Sequence, residues 1–93
     1  MKAYELLFIV DGSLTDEVKD QAIEKVKALI EKTNGNISTV DKWGMRKLAY
    51  PINYKSEGFY CLINFEAGVD APKTIGEALR IQDGIVRFMI VNK

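Results

Sequence analysis

The chain contains no histidine, and this absence excludes several kinds of enzyme site. Without an imidazole there is no histidine general base and no histidine ligand for zinc. The glycines form no phosphate-binding run of the dinucleotide or P-loop type. The acidic residues are spread along the chain, with no pair that sequence spacing forces together. We therefore expect a protein that is not an enzyme and that uses no cofactor and no metal.

Cysteine and long apolar runs are also scarce. Cys61 is the only cysteine, so no internal disulfide can form, which indicates a reducing compartment. It alternates with Phe59 and Ile63 in an apolar stretch, a pattern typical of a small buried side chain. No apolar run approaches the roughly 20 residues that span a bilayer. The first ten residues contain Glu5 and lack a cleavage motif, so they make a poor signal peptide and we expect a cytoplasmic protein.

The net charge is zero, because 13 cationic residues balance 13 anionic ones. The charges are nevertheless segregated along the chain. Residues 5–31 carry a net charge of −4, from seven acids and three lysines. Residues 41–55 carry +3 and residues 80–93 carry +2. The total gives no reason to expect a nucleic-acid ligand, but the two basic segments could form a local basic surface if the fold brings them together.

Hydrophobic periodicity and turn signals predict the element order β-α-β-β-α-β in a single domain spanning residues 1–93. The predicted strands cover residues 4–10, 37–50, 59–65 and 85–91, with a bulge at Gly44, an end at Pro51 and a loop over residues 51–58. A helix over residues 16–33 is capped by Ser13 or Thr15 and by Asn34-Gly35, and a second begins near Asp70. The expected fold class is α+β, a ferredoxin-like sandwich. Its antiparallel sheet has strand order 4-1-3-2, with both helices on one face.

This fold leaves one sheet face without helices. Alternation along the strands assigns a set of mostly apolar side chains to that face: Leu7, Ile9, Tyr60, Leu62, Met89 and Val91. Monomers seldom expose so much contiguous apolar surface, which favours a protein partner on this face. The alternative is that these side chains are simply exposed, as many apolar groups on protein surfaces are.

The cations around this sheet are candidates for contacts with RNA phosphates, and the only tryptophan could pack on a base or sugar. The candidates are Lys2, Trp43, Arg46, Lys47, Arg80 and Arg87. For each cation the alternative is a solvated surface charge, and the Arg46-Lys47 pair could also protect an edge strand from aggregation. Residues 58–65 are a poor match to an RNA-recognition strand, since Glu57 and Cys61 replace its cation and an aromatic.

Several motifs give the chain a resemblance to a known family. They are M-K-A-Y-E at the start, W-G-M-R-K-L-A-Y-P-I over residues 43–52, E-G-F-Y over residues 57–60, and L-R-I-Q-D-G-I-V-R-F-M-I-V over residues 79–91. Together they span most of the chain, which resembles the bacterial small-ribosomal-subunit protein six family. The resemblance implies a ferredoxin-like fold and a structural role in the small ribosomal subunit, without catalysis.

The resemblance also implies two partners. One is small-subunit (16S) ribosomal RNA in the central domain of the particle. The other is small-subunit protein eighteen, with which this chain would form a heterodimer. By motif position, Arg46, Lys47, Arg80 and Arg87 become the best RNA candidates, with Lys2 and Trp43 as weaker ones. The candidates for the partner surface are Leu48, Tyr50, Tyr60 and Leu62.

Two departures from the family pattern limit what is carried over. Lys47 stands where some members have arginine, so a bidentate phosphate contact there is not expected. No charged tail follows Lys93, so no tail function is expected.

Two other functions stay open from the residues alone. One is a protein-protein adaptor or homo-oligomer using the uncovered face, and the other is a regulatory ferredoxin-like module that binds a small molecule.

Overall fold

Six elements form an antiparallel sheet and two helices in a computed structural model of the chain. The structure describes the backbone of residues 2–52 and 55–93 and the side chains of residues 2–47 and 57–93. The elements are β1 (Lys2–Asp11), α1 (Asp16–Lys32), β2 (Asn36–Ile52), β3 (Lys55–Ala67), α2 (Ala71–Arg80) and β4 (Ile85–Asn92). The strand order β2-β3-β1-β4 confirms the predicted ferredoxin-like topology.

The core lies between the sheet and the helices, and alternation along the strands builds it. Alternate residues of the two central strands are buried, and they pack against the apolar stripes of both helices. The fully buried large side chains are Leu6, Phe8, Val10, Ile23, Val26, Ile30, Ile63, Phe65, Ile75 and Leu79. Because this parity is fixed, the remaining side chains of β1 and β3 must point to the other face of the sheet.

Both ends of α1 are capped as the sequence predicts. Thr15, rather than Ser13, is the N-cap, since its hydroxyl accepts a hydrogen bond from the Val18 amide at 3.3 Å. At the other end Asn34 takes the left-handed conformation with φ 63°. The Gly35 amide then donates to the Ile30 carbonyl at 3.1 Å, and the Asn34 amide to the Glu31 carbonyl at 3.0 Å. These two bonds form a Schellman motif.

One position on α1 departs from the apolar periodicity of the helix. Val18 is 41% exposed, whereas Lys19 is only 8% exposed. The Lys19 stem lies along the sheet edge, and its Nζ is 3.6 Å from the Met45 sulfur and 5.8 Å from the centroid of the Phe59 ring. A lysine can bury its methylene chain while its ammonium stays near the surface, which periodicity rules for apolar residues do not anticipate.

The segment over residues 51–58 is the second difference, because the predicted loop is mostly strand. β2 runs through Pro51 to Ile52, and β3 begins at Lys55, which pairs with Ile52. A proline predicts a strand end, because it cannot donate a hydrogen bond to a sheet. β2 is an edge strand, and a proline is tolerated there when its missing amide faces away from the neighbouring strand.

The contact between α2 and β4 suggests a stabilising substitution. Gly76 lies inside α2, and a Cβ added there would be 3.6 Å from the Phe88 ring, an ordinary van der Waals distance. We expect Gly76→Ala to raise the free energy of unfolding by roughly 0.5–1 kcal/mol, because glycine is a poor helix residue. Chemical denaturation of the variant and the wild-type chain measures this difference.

Gly35→Ala is the matched control for this substitution. A Cβ at Gly35 would lie 2.8 Å from the Ile30 carbonyl oxygen that the Schellman motif uses. This variant should therefore be less stable than the wild-type chain. If Gly76→Ala were as destabilising as Gly35→Ala, the packing of α2 on β4 described here would be incorrect.

Candidate functional site

The sheet face opposite the helices, here called the open face, carries five of the ten predicted site residues. Backbone pairing arranges its side chains in rows across the strands. The upper row joins Gly44, Tyr60, Ile9 and Arg87 in the order β2, β3, β1, β4. The next row joins Asp41, Leu62, Leu7 and Met89, and the third joins Thr39, Asn64, Glu5 and Val91.

A β-bulge at Gly44 decides which residues of β2 belong to this face. The pairing with β3 shifts between Lys42 and Gly44, and Gly44 has φ 87°, a conformation that side-chain-bearing residues rarely adopt. Before the bulge Lys42 pairs with the inward-facing Cys61. After it Arg46 pairs with Gly58, on the same face as Tyr60. The extra residue therefore moves Arg46 to the open face.

Trp43 lies at the bulge and forms an aromatic pair with Tyr60. Its ring stacks on Tyr60 with a centroid distance of 6.3 Å and an interplanar angle of 4°. The indole Nε1 donates a hydrogen bond to Asp41 Oδ2 at 3.3 Å, which fixes the ring orientation. Trp43 remains 41% exposed, so the pair offers a flat, solvent-accessible surface.

Arg46 and Lys47 extend this surface along β2. Both are exposed, and together with Trp43 and Tyr60 they line a shallow concave surface. Their side chains leave the strand on opposite sides, because Lys47 pairs with Glu57 and Arg46 with Gly58. Arg46 and Lys47 therefore lie on opposite faces of the edge strand.

The other predicted RNA residues lie elsewhere. Arg87 is exposed in the upper row, three strands from β2 and so about 14 Å away at the usual strand spacing. Arg80 ends α2 and lines a concave surface with Phe88 and Met89, so it flanks β4 from the helix side. Lys2 begins β1, seven residues before Ile9, or roughly 23 Å along the strand. The structure does not bring Lys2 near the others.

The centre of the open face is apolar, as the sequence predicts. Leu7, Tyr60 and Leu62 are half-buried, while Met89 is 51% and Val91 43% exposed. Ile9 is only 7% exposed because its row neighbours cover it. Of the predicted partner residues, Tyr60 and Leu62 lie on this face. The side chains of the other two, Leu48 and Tyr50, lie outside the described residues.

Sequence reasoning missed two polar residues that organise this face. One is Asp41, which accepts the indole hydrogen bond. The other is Asn64, whose amide donates to the Thr39 hydroxyl at 2.8 Å while its Oδ1 is buried without a partner. The spacing of Asp41 and Trp43, two residues apart on one strand, is a signal that could have been used. The Asn64–Thr39 contact joins two strands and depends on their register.

Within the described part of the chain, no group of three or more histidine, cysteine, aspartate or glutamate side chains is placed to hold a metal. No helix there is both long and apolar enough to cross a membrane. Cys61 is fully buried. Burial raises the pKa of its thiol to about 11, although the nearby Lys42 charge opposes the shift. A thiol in this state is a poor nucleophile at neutral pH.

Comparisons with known proteins agree on one family. The family model described as Ribosomal protein S6 matches residues 3–92. The small ribosomal subunit protein bS6 of Clostridium novyi is 52% identical over 92 residues, covering 99% of this chain and 97% of the relative. The small ribosomal subunit protein bS6 of Clostridioides difficile is 45% identical over 91 residues, covering 98% of this chain and 98% of the relative. The crystal structure of 30S ribosomal protein S6 from Thermotoga maritima superposes with a TM-score of 0.94 at 30% identity. It covers 99% of this chain and 87% of that one.

The buried thiol also predicts a pH dependence of stability. The pKa of Cys61 is about 11 in the folded chain and 9.0 in the unfolded reference. Above pH 9 the unfolded chain releases this proton and the folded chain keeps it, so stability should fall as pH rises from 9 to 11. The linked loss is roughly 2–3 kcal/mol. Urea denaturation across this range measures it.

Cys61→Ala supplies the control, since lysine and tyrosine side chains titrate in the same range. The variant should start from a lower stability and lose less of it between pH 9 and 11 than the wild-type chain does. Equal losses in the two chains would mean that Cys61 is not held neutral by burial.

Proposed function

This chain belongs to the ribosomal protein S6 family, and we propose that it binds 16S ribosomal RNA together with small-subunit protein eighteen during assembly of the central domain. Membership makes it a structural component of the bacterial small ribosomal subunit, which is not an enzyme. The predictions of a ribosomal, cytoplasmic and non-catalytic protein are thereby confirmed. The RNA segment and the protein partner are the proposed part.

The observation that carries the proposal is the composition of the open face. Its apolar centre, formed by Leu7, Leu62 and Met89, is contiguous with the Trp43–Tyr60 pair and with the basic edge at Arg46 and Lys47. An apolar surface of this kind fits a protein partner, while exposed cations at its margin fit phosphates. Tyr60 lies between the two, in reach of either ligand.

The helix layer offers less to an RNA backbone than the sheet edge does. The exposed side of α1 carries Asp16, Glu17, Asp20 and Glu24, and these residues lie across the molecule from the open face. Lys42, which the bulge leaves on the helix side, is partly neutralised there by Asp20 at 3.7 Å. Since α1 holds four lysines against five acids, the helix layer offers an RNA backbone no net attraction, and the exposed cations of the sheet edge are the better candidates for its phosphates.

A regulatory module is the second candidate, and one observation bears on it. A groove of about 750 Å³ separates the end of α1 from the start of α2 and is lined by Leu29, Val69 and Ile75 among others. Its size suits a small ligand. The groove lies in the helix layer, away from every residue of the open face, and it carries no charged group in a buried setting. A small ligand in this groove would leave the apolar centre, the aromatic pair and the basic edge of the open face without a role, so we favour RNA binding.

Binding to a central-domain fragment of 16S ribosomal RNA tests the proposal, with and without the partner protein, over a salt series. We expect the partner to be required or to raise affinity strongly, because it covers apolar surface and adds positive charge. The logarithm of affinity should fall with the logarithm of salt at about 0.7–0.9 per neutralised phosphate. Absence of binding at low salt with the partner present would overturn the proposal.

Arg46→Ala should weaken this binding and reduce the salt slope by about one unit, as expected for the loss of one phosphate contact. Its melting temperature should stay close to that of the wild-type chain, since Arg46 is exposed on an edge strand. Lys25→Ala, which removes an equally exposed cation from α1, should leave the slope unchanged. If the two variants gave identical salt dependences of affinity, Arg46 would not be an RNA contact.

A further inference from the structure

The aromatic pair of Trp43 and Tyr60 has an open side. The two rings are parallel, at an interplanar angle of 4°, and Trp43 is 41% exposed. The backbone beside them is also open, since a Cβ added at Gly44 would meet no atom within 4 Å. Together with Arg46 and Lys47, the pair lines a concave surface of about 520 Å³. This volume lies in the usual range of small-ligand sites, so a planar group can be added to the stack.

The charges on the two sides of this indole differ in sign. Asp41 Oδ2 accepts the hydrogen bond from Nε1 at 3.3 Å, so an anion lies at that edge of the ring and the only donor of the ring is occupied. Further along β2, beyond Gly44, the exposed Arg46 lines the same concave surface. A ligand that combines a planar ring with a negative charge is therefore attracted with its charge toward Arg46 and away from Asp41. A nucleotide has both of these parts.

We propose that Trp43 stacks on the base of one unpaired nucleotide, and that Arg46 binds the phosphate of that nucleotide. This inference rests on the proposed RNA binding and specifies the kind of nucleotide at the basic edge. A base inside a duplex is covered on both faces by its neighbours, whereas bases in loops and bulges can stack on aromatic side chains. Because Asp41 occupies the indole nitrogen, Trp43 contacts the flat face of the base rather than its hydrogen-bonding edge. Such a contact accepts any of the four bases.

An apolar side chain of the protein partner is the alternative occupant of this surface. The apolar centre of the open face suits that role better, since Leu7, Leu62 and Met89 lie side by side on β1, β3 and β4. Trp43 lies instead on the edge strand β2, where Arg46 lines the same concave surface. An apolar group placed there would desolvate this cation without pairing it, which is costly. The charge beside Trp43 therefore favours a nucleotide.

Affinity for the central-domain RNA fragment, with the partner protein present, separates stacking from charge. Trp43→Ala should lower this affinity about 5- to 100-fold, as expected for the loss of one base–aromatic stack. The salt slope should not change, because no phosphate contact is lost, whereas Arg46→Ala reduces it. Trp43→Phe keeps a flat ring and should retain most of the affinity. An affinity that Trp43→Ala leaves unchanged would overturn the stacking proposal but not the proposed RNA binding.

Affinity of the chain for the partner protein without RNA identifies the occupant of the surface. Trp43→Ala should leave this affinity unchanged, because the stack is made with RNA alone. Leu62→Ala is the matched comparison, since it removes an apolar side chain from the centre of the open face and should weaken the heterodimer. If Trp43→Ala weakened the heterodimer as much as it weakened RNA binding, a side chain of the partner would cover Trp43 and the proposal would be wrong.

Fluorine NMR observes the stack directly. Trp43 is the only tryptophan of the chain, so incorporation of fluorotryptophan gives a single resonance from this ring. Adding the unlabelled partner protein should leave the resonance near its original position, and adding the RNA fragment to the heterodimer should shift it, because a stacked base changes the magnetic environment of the ring. A shift caused by the partner protein and none caused by RNA would overturn the proposal. If the wild-type chain did not bind the fragment at all, both this proposal and the proposed function would be wrong.

Discussion

The β-bulge at Gly44 is the constraint on which the open face depends. Side chains alternate along a strand, so Lys42 and Arg46 would share one face if β2 were regular. The extra residue at the bulge separates them, sending Lys42 to Asp20 on α1 and Arg46 to the face with Tyr60. Only a residue that accepts φ 87° can sit at position 44, which makes the glycine necessary there. The position of one cation thus follows from one backbone conformation.

The same bulge accounts for the aromatic pair. Trp43 is the residue added to β2, and its ring lies on Tyr60 of β3 with Asp41 holding the indole nitrogen. A flat aromatic surface beside an exposed cation can accept a base, a sugar or an apolar side chain of a partner. Its place between the basic edge and the apolar centre suits the proposed binding of an RNA and a protein at adjoining sites.

Much of this could be read from the sequence, because it depends on local patterns. Period-two alternation places Leu6 and Phe8 in the core and Leu7 outside it, and the signals around Thr15 and Asn34 fix the ends of α1. What could not be read depends on pairing between strands. The sequence predicts β2 as an edge strand, but how far it extends past Pro51 depends on its register with β3, which local patterns do not give. The large distance between Lys2 and Arg46 likewise follows from the pairing of the strands and cannot be read from local patterns.

A chain with no net charge can still present local positive charge, provided that its cations lie beside a surface that a ligand contacts. On the open face, Arg46 and Arg87 lie at opposite margins. Between them lie the apolar residues Leu7 and Leu62, so a phosphate bound at either margin, as proposed, would meet a cation beside apolar surface. Partly buried charge pairs are screened by salt less than exposed pairs are. A protein partner that covered the apolar centre would therefore strengthen the proposed contacts of these two arginines with phosphates.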